Sequence, residues 1–568
     1  MGTHGVVVAG HYLGAMAGNR MFERGGNAID AGVASAFALA VLEPAHFSIG
    51  GEAPILVRQG GSGQVVAISG QGQAPQAATV QRFRDMGLAL IPGDGLLAAT
   101  VPAVVGTLAT ALAHFGKLSL GEVLAPAIDL AAGGFAVYPY LQGFLAESAD
   151  RMCREWPTSA AVFLPNGAMP EVGCLLRQPE LAATLQMLAD AEDHARSLSA
   201  DRPEAILAAA DYFYRGPLAQ AIAEFCQSCG FPDASGHSHR GLLRKEDFAA
   251  YATRLEEPVT ASYRGYQVYK CGPWSQGPVF LQQLGLLAGF DLHGMGHNSA
   301  AYIHTLVEAA KLAFSDRERY YGDPLFVNVP MERLLSAEYS EERRGLIDAG
   351  RASLTSRAGD TPNSIGPETT GSHTADTTHL DTMDAQGNMM AVTPSGGWMR
   401  SSPLVPGLGF AFGTRLQAFW LDENHPNGLR PGKRPRTTLT PTLVLRDGRP
   451  SMVFGTRGGD SQDQWTLQFF LNMVEFGMDV QEAVEAPNFY SEHFHSSFYP
   501  REAFPGRVSM EGRVSASVRE ELAAKGHRIR VEGDWSGGCV TGIRWNPETW
   551  VMSAGASPRG EKAYAAGW

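Results

Sequence analysis

The chain has 568 residues, 44% of them hydrophobic, with a formal charge of -13 and a pI near 5.7. Its length allows a large core and, taken alone, more than one domain, while the acidic balance argues against a nucleic acid or an anionic membrane as principal partner. Six scattered cysteines are too few for a disulfide framework and suit a reducing compartment. No secretory leader is visible, so the expected location is the cytoplasm.

In chain order, "AGNRMFERGGNAIDAGVASAFALAV" from Ala17 to Val41 carries a helical pattern. Its apolar run from Ala28 to Pro44 contains Asp30 and falls short of the roughly 20 residues a membrane span requires. A buried helix is the expectation. Two short strands follow, "APILVRQ" and "QVVAIS", then helices at "LSLGEVLAPAIDLAAGG" and "LAQAIAEFCQSCG". The last of these ends in a CxxC, Cys226 and Cys229, with His237 and His239 close behind. These four could ligate zinc, but there is no second CxxC, and Cys226 sits where an apolar thiol simply packs. No metal is predicted.

A further helix is expected at "SAAYIHTLVEAAKLAFSDRERYYG". The stretch from Arg351 to Ala375 is rich in Ser, Thr, Gly, Pro and charge, and reads as an exposed, mobile loop. Strands become denser after Thr377. "TTHLDTMD", a Gly-containing turn and "MMAVTP" form a hairpin, followed by strands at "TPTLVLRDG", "PSMVFGT" and "VTGIRWN" and a helix at "QDQWTLQFFLNMVEFG". The mixture predicts an α+β or layered fold. "RPGKRPR", from Arg430 to Arg436, places four cations in seven residues, as a local anion site or a solvated loop would.

Two features carry chemistry. "GTRGGD", from Gly455 to Asp460, lies between a strand and a helix, so Gly458 and Gly459 would offer consecutive backbone N–H groups to an anion. No glycine loop has the spacing of a dinucleotide turn or is followed by GK[ST]. The second feature is Thr377. Were the Asp376–Thr377 bond cut, a new α-amine, with a pKa of roughly 7.7–8.0, would stand beside the threonine hydroxyl. The nucleophile would then carry its own base.

Ordered blocks along most of the chain resemble the γ-glutamyltransferases, autoprocessing members of the N-terminal nucleophile hydrolases. They include "ERGGNAIDAGVASAFALAVLEPAHFSIGGE", "ATVPAVVGTLATALAHFGKLSLGEVLAPAIDLAAGGFAV", "GLLRKEDFAAY", "GHNSAAYIHTLVEAAKLAFSDRERYYGDP", "DTTHLDTMDAQGNMMAVTPS", "GKRPRTTLTPTLVLRDG" and "GTRGGDSQDQ". The resemblance implies a four-layer αββα sandwich in one intertwined domain, cut before Thr377 into a large segment, 1–376, and a small one, 377–568. It implies an αβ pair of these segments, which could associate further into a homo-oligomer, and needs no cofactor. Thr377 would be the nucleophile in both cleavage and turnover of a small-molecule amide, Gly458 and Gly459 the oxyanion hole, and Ser395 a hydroxyl assisting the nucleophile in place of the usual Thr.

At the substrate end the chain departs from its relatives. Gln71 stands where they hold the substrate α-carboxylate with an arginine, and Ala418 where they hold the α-amine with an acid. Thr437 and Thr438 match the hydroxyl pair, and Arg415 appears where relatives have a neutral polar residue. The charge-assisted bonds lost are worth roughly 1.5–3 kcal/mol each. Three functions therefore remain: cleavage of γ-glutamyl or related amides, hydrolysis of a small carboxylated amide of the oxamate type, with Arg415 receiving the carboxylate, or a catalytically silent binding protein. A serine hydrolase built on Ser395 lacks the GxSxG elbow.

Overall fold

In a computed structural model, residues 1–359, the backbone of Thr361–Asn363, and residues 377–560 and 562–568 are described. Asp376, the expected residue before the cut, lies outside them.

Two large sheets dominate. In the first, seven strands follow the order Tyr564–Gly567, Gly5–Ala9, Leu380–Asp384, Met389–Val392, Ile55–Arg58, Val65–Ile68 and Leu255–Glu256. Every neighbouring pair is antiparallel. The second has six strands, Met552–Ala556, Thr541–Trp545, Arg449–Gly455, Thr442–Arg446, Tyr266–Lys270 and Val259–Tyr263, again antiparallel. Strands from the two sides of Thr377 are interleaved in the first sheet and adjoin in the second. Neither side could keep its sheet edges paired without the other.

The period-two alternation of the strands sorts their side chains into separate cores. Val6, Val8, Met383 and Ala391 of the first sheet share a cluster with Leu443, Val453 and Ile543 of the second. Their chain neighbours Val7, Leu380, Met390 and Val392 pack instead with the helices Ala28–Leu42 and Val104–Phe115. On the second sheet, Val268, Val444 and Phe454 join the helices Pro278–Leu287, Ala300–Tyr320 and Gln462–Val474.

The predicted helix from Ala17 to Val41 is two helices, Tyr12–Glu23 and Ala28–Leu42. The break falls at "RGGN", because Gly25 takes φ +83° and Asn27 caps the second helix in a reciprocal box with Asp30. Asp30 also accepts the N–H groups of Lys117 and Leu118 at 2.8 and 2.9 Å, which satisfies a carboxylate inside a helix whose residues are all buried. No helix among the described residues is long and apolar enough to cross a membrane.

The loop expected from Arg351 to Ala375 is only partly described. Its first part departs from the expectation: Ser356–Ala358 pairs with Thr361–Asn363, and Ala352 and Ala358 are buried. Polar anchors hold it. Asp316 accepts the Gly359 N–H at 2.9 Å, and Arg343 donates to the Gly359 carbonyl at 3.0 Å.

Candidate active site

Thr377 enters the first sheet just ahead of the strand Leu380–Asp384 and forms an antiparallel bridge with Ser395. The Thr377 Oγ1 donates to the Ser395 Oγ at 3.1 Å. On its other side Ser395 bridges Glu52, exchanging both backbone bonds at 2.9 Å. The approach is close enough to require glycines. A Cβ on Gly51 would lie 2.1 Å from the Ser395 carbonyl oxygen, and one on Gly396, whose φ is +78°, would strike the Glu52 carboxylate.

Arg415 completes the corner. It sits in a short 3-10 turn, Arg415–Ala418, is 2% exposed, and donates through Nη2 to the Ser395 Oγ at 2.7 Å. Its Nε forms an ion pair with the Glu52 Oε1. The guanidinium lies 5.2 Å from the Phe498 ring centroid. Burial raises the Glu52 pKa, and Arg415 opposes that rise. Two atoms remain open: the Glu52 Oε2 is buried without a partner, and the Arg415 Nη1 makes no hydrogen bond among the described residues.

His379, two residues past the threonine, is not a base in waiting. Its ring is buried and held at both nitrogens, by the Thr393 Oγ1 and the Asp381 Oδ1, each at 2.9 Å. A small pocket opens at Thr377 and Thr378, with Glu43, Arg457 and Lys562 in its wall. Burial works to raise the Glu43 pKa, but the ion pair with Lys562 prevails and holds it at about 2.

Arg457 also lines a larger cleft of about 590 Å³ whose wall contains Gly458 and Gly459. The φ values of the two glycines are +118° and +55°, and a Cβ on Gly458 would fall 2.2 Å from the Trp465 ring. Neither N–H has an acceptor among the described residues. The two glycines lie in the turn ahead of the helix Gln462–Val474, where "GTRGGD" was expected to put them.

The remaining predicted residues lie deeper. The Thr437 N–H donates to the Trp274 carbonyl at 3.0 Å, and the Thr437 carbonyl accepts from the Gln276 N–H at 2.9 Å. The Gln276 side chain in turn donates to the Gly459 carbonyl at 3.3 Å, so the Thr437 segment supports the glycine pair. Thr438 and Gln71 are buried, and the Thr438 Oγ1 and the Gln71 Oε1 have no partner among the described residues.

The zinc candidates do not assemble. Cys226 is buried in the core, where burial pushes its thiol pKa up, Cys229 and His237 are exposed, and His239 bonds Asp233 at 2.7 Å. Among the described residues one other group has metal-sized spacing, His304, Glu308 and His527. Most of its atoms are engaged, since the His304 Nδ1 and the His527 Nε2 share a hydrogen bond of 2.8 Å and Glu308 faces Lys311 and Arg357, while the His527 Nδ1 has no partner among the described residues.

Glu52, Arg457 and Lys562 escape the sequence reading. A buried acid directly after the glycines of "SIGGE" was the available signal for Glu52. Arg457 and Lys562 carry none.

The sequence model of the gamma-glutamyltranspeptidase family matches residues 14–567. This chain belongs to that family. The family is one of hydrolases and acyltransferases with an N-terminal nucleophile, and the chain is such an enzyme. It is 33% identical over 567 residues to the acylase ACY 1 proenzyme of Pseudomonas sp. (strain SE83), covering 97% of this chain and 92% of that one. It is 30% identical to the glutathione hydrolase proenzyme of Escherichia coli (strain K12), over 93% of this chain and 86% of that protein. Among solved structures, the cephalosporin acylase from Bacillus halodurans is similar at 32% identity and a TM-score of 0.85, over 100% of this chain and 96% of that one.

Proposed function

We propose that Thr377 is the nucleophile of an autoprocessing amidase and acyltransferase that cleaves γ-glutamyl or related amides through an acyl-enzyme. The observation that carries this is the bond from the Thr377 Oγ1 to the Ser395 Oγ, in a corner closed by Arg415 and Glu52. Before processing, the threonine nitrogen is an amide and cannot act as base. Attack of the Thr377 Oγ on the Asp376 carbonyl, followed by hydrolysis of the ester, frees the amine and leaves segments 1–376 and 377–568. In turnover that amine takes the hydroxyl proton while Oγ adds to the substrate carbonyl. The Gly458 and Gly459 N–H groups stabilise the oxyanion. Ser395, held by Arg415, steadies the threonine hydroxyl.

The interleaved strands support one intertwined domain, and the three separate cores support a four-layer αββα stacking. The segments would stay together as an αβ pair, and pairs could associate. For the acyl group, the open Nη1 of Arg415 supports a substrate carboxylate, with Thr437, Thr438 and Gln71 as the polar floor behind the glycines. Gln71 and Ala418, in place of a charged clamp, favour as second reading a small carboxylated amide of the oxamate type.

Intact mass under denaturing conditions, followed over time, tests the proposal. Two species summing to the full chain plus one water are expected, the smaller beginning at Thr377, and Thr377→Ala should stay whole. A wild-type chain that remains uncut for days overturns the reading and favours a binding protein on the same fold.

A further inference from the structure

The cleft beside the glycine pair is walled by aromatic rings, among them Trp465, Tyr490, Phe494, Phe498 and Phe504. Four carboxylates also reach it, and three are neutralised. Glu147 pairs with Arg400, Asp460 with Arg317, and Glu492 takes both the Nε and the Nη2 of Arg507 at 2.6 Å. The fourth is Glu502. It is 9% exposed and its Oε1 is buried with no hydrogen-bond partner among the described residues; the Arg507 charge attracts it, but that guanidinium is already held by Glu492 and makes no ion pair with Glu502. A carboxylate oxygen buried without a partner is costly, and with Arg507 spent on Glu492 the site has room for a ligand that brings its own positive charge.

The loop bearing Glu502 is held firmly on the turn that carries Arg415. The Arg501 Nη2 donates to the carbonyls of Gln417 and Phe419, both at 2.8 Å, and the Tyr499 N–H donates to the Gln417 side chain at 3.0 Å. Phe498, in the same loop, lines the cleft and lies under the Arg415 guanidinium. The anion is therefore fixed with respect to the corner where the acyl group would bind.

We propose that Glu502 is a specificity residue that binds a primary ammonium on the substrate, with the surrounding rings packing on its carbon frame. Aromatic faces attract cations, and a charge-assisted bond to a desolvated carboxylate discriminates strongly against a neutral analogue. The ammonium could sit on the acyl half of the amide or on its amine half. The site itself stands on the cleft; only its use in turnover rests on the amidase reading.

Calorimetry on the purified wild-type protein with phenethylamine and with 2-phenylethanol, equal in size and differing in charge, tests the site. The amine should bind about tenfold or more tightly than the alcohol. Glu502→Gln should abolish that preference and Glu502→Asp restore part of it, with melting temperatures within a few degrees of wild type. Equal binding of amine and alcohol, or a preference that survives Glu502→Gln, overturns the proposal. Two kinetic pairs then locate the ammonium. γ-Glutamyl and glutaryl p-nitroanilide differ only in the acyl-half ammonium, and glutaryl amides of 4-(aminomethyl)aniline and of 4-methylaniline differ in the amine half. In one pair the ratio of kcat/KM, charged over neutral, should fall at least about tenfold in Glu502→Gln. If no amide turns over while the amine preference is present and lost in Glu502→Gln, the amidase reading fails and the ammonium site stands.

Discussion

The corner at Thr377 and the cleft at Gly458 share Arg457 but are built in opposite ways. In the corner nearly every polar atom is committed: threonine to serine, serine to arginine, arginine to glutamate, with backbone bridges behind. The cleft is wide and aromatic, and among the described residues its glycine N–H groups and the Glu502 Oε1 have no partner. The difference teaches where each task lies. Positioning a hydroxyl to a fraction of an ångström needs a network of committed groups, whereas receiving a substrate needs groups whose partners have yet to arrive; in the corner only the Arg415 Nη1 and the Glu52 Oε2 are of the second kind.

Breaking the corner should cost most. Arg415 and Glu52 are 3% and 1% exposed at the side chain, so removing one leaves a buried charge unmatched. Arg415→Ala is expected to lower stability by about 3–5 kcal/mol and to raise KM strongly for an anionic amide, as urea unfolding and steady-state kinetics would show. Arg415→Met with Glu52→Gln together should cost less than the sum of the single changes. Additive losses would mean the pair is not coupled.

On the cleft side the sharpest change is Gly458→Ala. A φ of +118° disfavours any side chain, and the new Cβ would meet Trp465. The N–H must turn away from the oxyanion, and kcat should fall about 10²–10³-fold with KM little moved. An unchanged kcat would remove the glycine pair from the mechanism. Ser395→Ala is milder, since the threonine keeps its own amine as base. Ser395→Ala also removes the acceptor of the Arg415 Nη2 bond, a loss that should appear in stability; at the threonine itself one neutral hydrogen bond is lost, about 1 kcal/mol, which predicts roughly a fivefold to tenfold drop in kcat and slower processing, readable in the same mass time course.

The contrast also explains what the sequence could say. Strand alternation, the hairpin after Thr377 and the glycine turn before the helix at Gln462 are local patterns, and they read directly. Asp30 in an apolar run was legible as a buried helix, yet the split at Gly25 was not foreseen because the apolar periodicity runs on across it. Glu52 was missed for another reason: its partner Arg415 lies 363 residues away, and only the fold joins them. At the CxxC the helical pattern was the better guide than the spacing: it placed Cys226 as a packed apolar thiol, and the fold buries Cys226 and leaves Cys229 exposed. Sequence shows that Arg415 is a cation but not that Glu52 already occupies one face of it.

The smallest expected effect lies away from both regions, where the segment after Asp348 is tied to the rest of the chain. His304 bonds the Asp348 carbonyl and His527, each at 2.8 Å. Burial lowers the pKa of all three histidines there, His527 to about 2, His493 to about 3 and His304 in the same direction, with the Lys311 charge also acting to lower it at each. Between these values and the unfolded value near 6.5, the unfolded chain binds more protons, so stability falls as pH falls. His527 and His493 should each contribute a loss of about 1 kcal/mol between pH 6.5 and 5.5. Raised carboxylates such as Asp316 and Asp463 act in the opposite sense in this range, so the test is a difference. Urea unfolding of wild type and His527→Gln across that interval should show a shallower pH slope in the variant. Parallel slopes would mean that His527 is not held neutral, and that the tie between this segment and the small one does not depend on an uncharged pair.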